Sequence, residues 1–342
     1  MAHFENIPLG VADWDKTLVQ FEDRNVFQSN GWLKFVAEDQ KADPVLAALK
    51  EDGRTLGYFC GLIVKKMGLR ILGSPFPGWS TPYMGFNLHL GVPRRTAVMA
   101  LADLAFKQLR CAYVEVVDSE MTTQDFEGLG FTHRMNPSLE IDLTQDEETI
   151  FNGMDSTCRR NIRKAEKSGV TVEVATDIGF AEEYAEQLKD VFAKQGLVPH
   201  YGADRVRLMI KHLLPTGMLL IQRARDAEGR CIGTGIYPAA NRCAYYVGGA
   251  SWRQYQILRP NELLHWRAMQ HWRQRGIKAY NFVGNMNFKQ KFGGKEISTP
   301  MIGKARNPMI SLLRATAPHA KKNLMRLTWA IKSMTGRTPK PE

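Results

Sequence analysis

Apolar and polar positions alternate in short runs through much of the chain. Elsewhere apolar residues recur at three- and four-residue spacing. The first pattern predicts strands and the second amphipathic helices. Leu46–Leu49 and Thr55–Lys65 read as strands around the turn Glu51-Asp52-Gly53, and Met67–Gly73 as another. Residues 30–39 predict a short helix. From Pro93 to Leu109, Val98, Leu101, Leu104, Ala105 and Leu109 share one helical face. Ala112–Val117 and Leu139–Leu143 predict further strands. Between them and the first strands, Ser74 to Tyr83 holds Pro75, Pro77, Gly78 and Pro82, which excludes a regular element.

A second run begins near Glu147. Ser156 is expected to cap a helix running through Lys167 and ended by Gly169. Val170–Ala175 predicts a strand, and Gly179–Ala193 and Ala203–Leu214 predict helices. Met218–Ala224 and Cys231–Pro238 read as strands around a turn at Asp226–Gly229, with Arg242–Gly249 as the next. Pro260 opens a helix to Arg275, where its missing N–H costs nothing, and Lys278–Val283 follows as a strand. Each half thus runs antiparallel strands, a glycine-containing strand end (Tyr83-Met84-Gly85-Phe86; Tyr246-Val247-Gly248-Gly249), a proline-started helix and a strand. This order predicts an internal duplication of about 150 residues per copy. The expected boundaries are 1–145, 146–303 and a basic tail, 304–342.

Composition changes the picture in one respect. Of 342 residues, 46 are Lys or Arg and 35 Asp or Glu, a formal charge of +11 that favours an anionic partner. Much of the excess lies in the tail, where nine basic residues from Lys304 to Lys340 face one acid, Glu342. Leu312, Leu313, Leu324, Leu327, Trp329 and Ile331 interleave with them. Such a segment either lies on an anionic membrane surface or docks on the protein as a terminal helix. The five cysteines are scattered and form no CxxC pair, so a reducing compartment is expected, without a disulfide framework or zinc site. No secretory signal and no apolar run of ~18 residues is present, which points to the cytosol, with contact at the inner membrane face left to the tail.

The unit order, strand, helices, three antiparallel strands, helix, strand, resembles the Gcn5-related N-acetyltransferase (GNAT) fold. Two copies in tandem resemble the Fem-type group within it. The segment Arg159-Arg160-Asn161-Ile162-Arg163-Lys164-Ala165-Glu166-Lys167-Ser168-Gly169-Val170 is similar to that group's Arg-x-Asn-Ile-Arg-Lys-Ala-x-Lys-x-Gly-Val. Phe288-Lys289-Gln290-Lys291-Phe292-Gly293 is similar to its Phe-Lys-x-x-Phe-Gly, and Arg259-Pro260-Asn261-Glu262-Leu263-Leu264 opens the helix after the central strand. The resemblance spans roughly residues 25–305 and implies an α+β fold of two tandem GNAT-like domains, each a mixed, mostly antiparallel sheet flanked by helices. It implies transfer to an amine from acyl-CoA or from aminoacyl-tRNA, with no permanently bound cofactor. No coiled-coil arm is inserted in the second half. That favours an acyl-CoA donor and an amine of a cell-envelope or polysaccharide precursor as acceptor, with Fem-type aminoacyl transfer from tRNA as the alternative. A non-catalytic anion- or nucleic-acid-binding protein is a third reading, for which no nucleic-acid-reading motif is found.

Acyl transfer to an amine needs both reactants held, a proton accepted from the ammonium and a stabilised oxyanion. Either donor carries phosphates, which a helix N-terminus binds. Arg259, Pro260 and Asn261 sit at such a terminus and are expected to hold the donor pyrophosphate, although Trp252–Leu258 replaces the superfamily's usual Gln/Arg-x-x-Gly-x-Gly/Ala loop. Arg159, Arg163 and Lys167 share a helical face. They read either as a phosphate clamp or as a solvated basic face partly neutralised by Glu166. The resemblance places Lys289 at the reaction centre, polarising the donor carbonyl beside a donor-binding Phe288; without it, Lys289 reads as a surface lysine in a glycine-rich loop. Tyr245 and Tyr246 point to opposite faces of their strand, and Tyr246, next to the glycines, is favoured to protonate the leaving thiolate. Trp79 and Tyr83 read as walls of an acceptor cleft, and His200 and Tyr201 as part of an acceptor loop. No HExxH, phosphate-binding P-loop or Ser/His/Asp order appears.

Overall fold

The computed structural model describes residues 1–8, 13–193, 197–284 and 287–311. The first half holds β1 (His3–Ile7), α1 (Trp14–Val19), α2 (Asn30–Gln40), β2 (Asp43–Glu51), β3 (Arg54–Lys66), β4 (Leu69–Ser74), β5 (Gly85–Leu88), α3 (Arg94–Asp103), β6 (Tyr113–Val117) and β7 (Thr132–Asp142). The second holds α4 (Glu147–Gly153), α5 (Ser156–Lys167), β8 (Thr171–Val174), α6 (Phe180–Ala193), α7 (Ala203–Leu213), β9 (Leu219–Arg225), β10 (Cys231–Ala240), β11 (Cys243–Tyr245), β12 (Gly248–Ser251), α8 (Pro260–Gln274), β13 (Ala279–Asn281), α9 (Asn287–Gln290) and β14 (Lys295–Ala305). The fold is α+β with a mixed, mostly antiparallel sheet, as expected.

The strands run β1-β2-β3-β4-β6-β14-β7-β13-β11-β10-β9-β8, with β5 against β3 and β12 against β10 as side branches. This order has a two-fold symmetry about its centre. β4 pairs with β6 in parallel, as β11 pairs with β13 in parallel. Only the last strand of each half is exchanged: β14 lies against β6, and β7 against β13. The two exchanged strands pair with each other from Lys295↔Glu140 to Gly303↔Thr132, so the sheet runs unbroken through the middle of the chain. Lys304 and Ala305, assigned from the sequence to the tail, pair in this strand with Val114 and Tyr113. The tail's apolar and basic residues beyond 311 lie outside the described residues.

Local sequence sets the element ends. The N-cap of α5 is Asp155, whose carboxylate accepts from the Cys158 amide at 2.5 Å; Ser156, expected to be the cap, is the first helical residue. Asp outranks the Ser that follows it because it adds a full charge to the hydrogen bond at the positive end of the helix. Helices α2 and α7 join the halves, and their backbones pass so closely that a Cβ on Gly31 would lie 2.8 Å from the His212 carbonyl oxygen. Trp32, Phe27, Tyr184, Leu213 and Tyr245 form part of one buried cluster drawn from both halves; separate clusters lie under α3 and under α5 and α8.

Symmetry brings two clefts, one where β5 leaves β6 and one where β12 leaves β13. The first is filled from within. Asp118, just after β6, accepts from the Phe86 amide of β5 at 2.8 Å and from Arg94 Nε at 2.7 Å. The other arm of Arg94 donates to Asp23 at 2.6 Å. Gly85, at φ +75°, lies so close that a Cβ there would stand 2.5 Å from the Asp118 carboxylate. Burial pushes the Asp118 carboxyl up, and the Arg94 charge opposes it. Asp118→Ala is expected to cost about 3 kcal/mol in chemical denaturation, since it strips a buried cation of a partner. Asp118→Asn, which keeps acceptors for the amides, is expected to cost less.

Candidate active site

The second cleft is open. Tyr246 still donates its amide to Asn281 of β13 at 2.9 Å, but Val247 turns away and donates to Ile236 of β10. From there β12 diverges, and the chain re-enters the site through α8. Arg259, at φ 60°, turns the chain into that helix, Pro260 begins it, and no side chain caps its first turn. The uncapped amides face a cavity of about 350 Å³. Arg259, Pro260, Asn261 and Phe288 line it, together with Ser251 and His265. The buried Ser251 hydroxyl has no protein partner among the described residues.

Glu262 braces this cavity. It is 5% exposed and accepts from Lys291 at 2.7 Å and from Asn161 at 2.8 Å, tying α5 and α9 to α8. His265, one turn along, is bonded through Nδ1 to the Tyr280 hydroxyl at 2.7 Å and ringed by Tyr246, Phe282 and Phe292. Burial, with Lys291 and Lys289 nearby, lowers its pKa to about 3, so the imidazole is neutral.

A larger cavity of about 660 Å³ lies between the halves. The Pro75–Tyr83 segment and β7 supply one side. Tyr184, Tyr201, Gly248, Gly249 and Lys289 supply the other. Tyr184 and Tyr201 share a hydroxyl–hydroxyl bond of 2.8 Å. The glycines of β12 make room: a Cβ on Gly248 would lie 2.6 Å from the Tyr184 hydroxyl, and one on Gly249 would lie 2.7 Å from that of Tyr246. Tyr246 and Gly249 belong to the walls of both cavities, so the two meet at the break between β11 and β12.

Lys289 stands at this junction, 4% exposed. Its ammonium donates to the carbonyls of Phe282 (2.8 Å), Val283 (2.8 Å) and Gly284 (3.2 Å), the turn that ends β13. It also lies 5.8 Å from the Tyr246 ring centre. Burial lowers its pKa to about 8. Burial also pushes the Tyr246 hydroxyl far above its ordinary range, which keeps it protonated.

The structure therefore gathers Tyr246, Lys289, Phe288, Arg259, Pro260, Asn261, Tyr83 and Tyr201 onto two joined cavities. Other predicted site residues lie off the cavity walls. Arg159 is turned onto the carbonyls of Asn152 and Met154, closing the end of α4, and exposed Arg163 stands over the Phe151 ring at 5.3 Å. Neither guanidinium is on a cavity wall, and the helix face they share is solvated. Trp79 packs on Phe76 at 4.6 Å behind the loop, and its carbonyl accepts from Arg205 at 2.6 Å. His200 is exposed and lines neither cavity. Tyr184, Ser251, Glu262, His265 and Lys291 were not singled out from the sequence. Glu262 and Lys291 fall inside quoted motifs, which was the one available signal for them. No cluster of three or more metal-ligating side chains occurs among the described residues, and no helix there is long and apolar enough to cross a membrane.

Residues 153–290 match the family model of the acetyltransferase (GNAT) domain. FemX is similar in structure over 87% of this chain and 96% of its own, with TM-score 0.71 and 15% identity. A tandem GNAT protein from the clavulanic acid biosynthesis pathway is similar over 90% and 99%, with TM-score 0.52 and 11% identity. The C-terminal domain of a putative lysylphosphatidylglycerol synthetase from Agrobacterium fabrum is similar over 76% and 84%, with TM-score 0.50 and 13% identity. No curated protein matches the sequence. Residues 153–290 thus carry a GNAT-type acyltransferase domain. The chain as a whole has the fold seen in FemX.

A neutral buried imidazole makes stability depend on pH. Unfolding returns His265 to an ordinary pKa near 6.5, so between that value and about 3 the unfolded chain binds the extra proton. Stability is full above pH 6.5 and falls as the pH drops toward 3; His271, lowered to about 4, adds in the same sense. Tm measured across this window is expected to fall less steeply in His265→Gln than in the parent chain.

Proposed function

We propose that the protein transfers an acyl group from acyl-CoA, bound against α8, to an amine held in the cavity between the halves. The observation that carries this reading is the meeting of the two cavities at Tyr246 and Gly249. One has the uncapped, positive end of a fifteen-residue helix, suited to a donor's phosphates. The other has walls from both halves and room for a sizeable acceptor. An amine of a cell-envelope or polysaccharide precursor fits the resemblance to Fem-type enzymes. The likeness to FemX and to the lysylphosphatidylglycerol synthetase domain supports a second reading, in which the donor is aminoacyl-tRNA and an aminoacyl group moves.

In either case the free amine attacks the donor carbonyl, giving a tetrahedral oxyanion. Its collapse breaks the bond to sulfur or oxygen; the leaving group takes up a proton, and the attacking nitrogen gives one up to solvent, from which the proton donor is restored. Tyr246, held protonated by burial at the junction, is the proton donor. The three Lys289 protons are committed to the β13 turn, so Lys289 acts on the oxyanion through its charge and by fixing that turn. A positive charge stabilises an oxyanion without direct contact when the cleft is poor in water. The neutral amine is reached by proton loss to solvent through the open cavity.

Two measurements test this. Incubation of the full chain with labelled acyl-CoA or with charged tRNA, each with a pool of amines, identifies the donor; transfer from neither, with salt-sensitive nucleic-acid binding instead, defeats both readings. With the accepted donor, Tyr246→Phe is expected to lower kcat about a hundredfold. For Lys289 the sign follows from its lowered pKa: the charge is present below about pH 8 and lost above it. The kcat/KM of the parent chain should therefore fall on the alkaline side of pH 8, and Lys289→Met should be slower with that limb gone.

A further inference from the structure

Beyond the acceptor cavity, on the same face of the sheet, lies a third cavity of about 300 Å³. Even-numbered residues of β7 form a continuous floor: Asn136 and Ser138 belong to the acceptor cavity, and Glu140 to the third. Among the described residues, Tyr83 is the one common to both walls. It is 4% exposed, and its hydroxyl lies near Asn281 of β13, Ser138 of β7 and Thr299 of β14, on the strands around the exchanged seam. Its ring stands 6.0 Å from that of Tyr245. Glu22, Asp23, Glu120 and Glu140 line the space behind it, against Arg24 and Arg242. Asp23 is engaged by Arg94, which leaves the other carboxylates to set the character of the chamber.

We propose that Tyr83 is the specificity-determining end wall of the acceptor cavity: its ring limits how far an acceptor reaches, and shortening it joins the cavity to a carboxylate-lined chamber that admits a longer, cationic acceptor. This rests on reading the 660 Å³ cavity as the acceptor site. Burial and packing near Tyr245 fix the ring across the passage, and the ring does the blocking. Loss of the hydroxyl alone therefore keeps the limit, and loss of the ring removes it. Once the passage is open, a second ammonium group at the far end of an amine meets carboxylates, and a chain of the same length ending in a neutral group does not.

The test is calorimetric binding of a graded series of α,ω-diaminoalkanes, and of monoamines of matching length, to the full chain and to Tyr83→Ala, Tyr83→Leu and Tyr83→Phe. Tyr83→Ala is expected to bind the longest diamines at least tenfold more tightly than the parent does, with short diamines and all monoamines changed little. Tyr83→Leu, which leaves less of a hole, is expected to show the same trend more weakly, and it serves if the alanine variant does not fold. Tyr83→Phe is expected to keep the parental cutoff. Affinities in the Ala and Leu variants that do not depend on diamine length would overturn the assignment, as would a Phe variant that gains long diamines equally. Because binding is read without turnover, the two ideas separate. A length-dependent gain without transfer from any donor would keep the wall and remove the acyl-transfer reading; transfer without the gain would do the reverse.

Discussion

Everything in this molecule is built around the pairing of β7 with β14. Each is the last strand of one half, and each completes the other half's sheet. The register matters as much as the pairing. A one-residue slip would send Asn136, Ser138 and Glu140 to the opposite face and bring Met135 and Leu139 to the floor of the cavities. The inter-half cavity, its floor and the anchoring of Tyr83 all follow from this central ladder, so a site formed between two copies is held as firmly as one inside a single sheet.

The two copies then diverge at equivalent places. In the first, a carboxylate after β6 reaches across to β5 and is locked by the arginine that opens α3. In the second, the residue after β13 is Phe282, which is buried in the core and carries no charge across the cleft, Val283 and Gly284 line the open cavity, and the arginine before α8 turns the chain. The same scaffold thus has one cleft closed by its own charges and one left for a ligand. Lys289 shows the cost of keeping that cleft in shape. Its ammonium is largely desolvated, with all its hydrogen bonds spent on the turn that forms the cleft's edge.

Much of the architecture was legible in the sequence. Hydrophobic spacing located most helices and strands and exposed the duplication, which the symmetry of the sheet displays, and proline at the start of α8 marked the helix that faces the smaller cavity. The exchange of β7 and β14 was not legible, because alternation shows that a segment is a strand and says nothing about its neighbour. β14 was missed altogether: Pro300 interrupts its pattern, and the basic residues that follow drew its end into the tail. Arg159 and Arg163 read either as a clamp or as a solvated face, because spacing gives the face of a helix and not what that face looks upon. Motifs carried Lys289 and Phe288 to the junction. Tyr184 and His265 lie in ordinary helical patterns, and only the third dimension brings them to the site.

The strand exchange also sets an order of assembly. During synthesis the first half emerges with its sheet incomplete, since the strand that belongs beside β6 ends at Ala305, nearly two hundred residues after Val117. Until then the edge of β6 lacks its neighbouring strand and is open to wrong ones. The first copy therefore cannot finish folding as an independent unit on the ribosome. Its completion waits for almost the whole chain, and the two halves mature together in one late, long-range step.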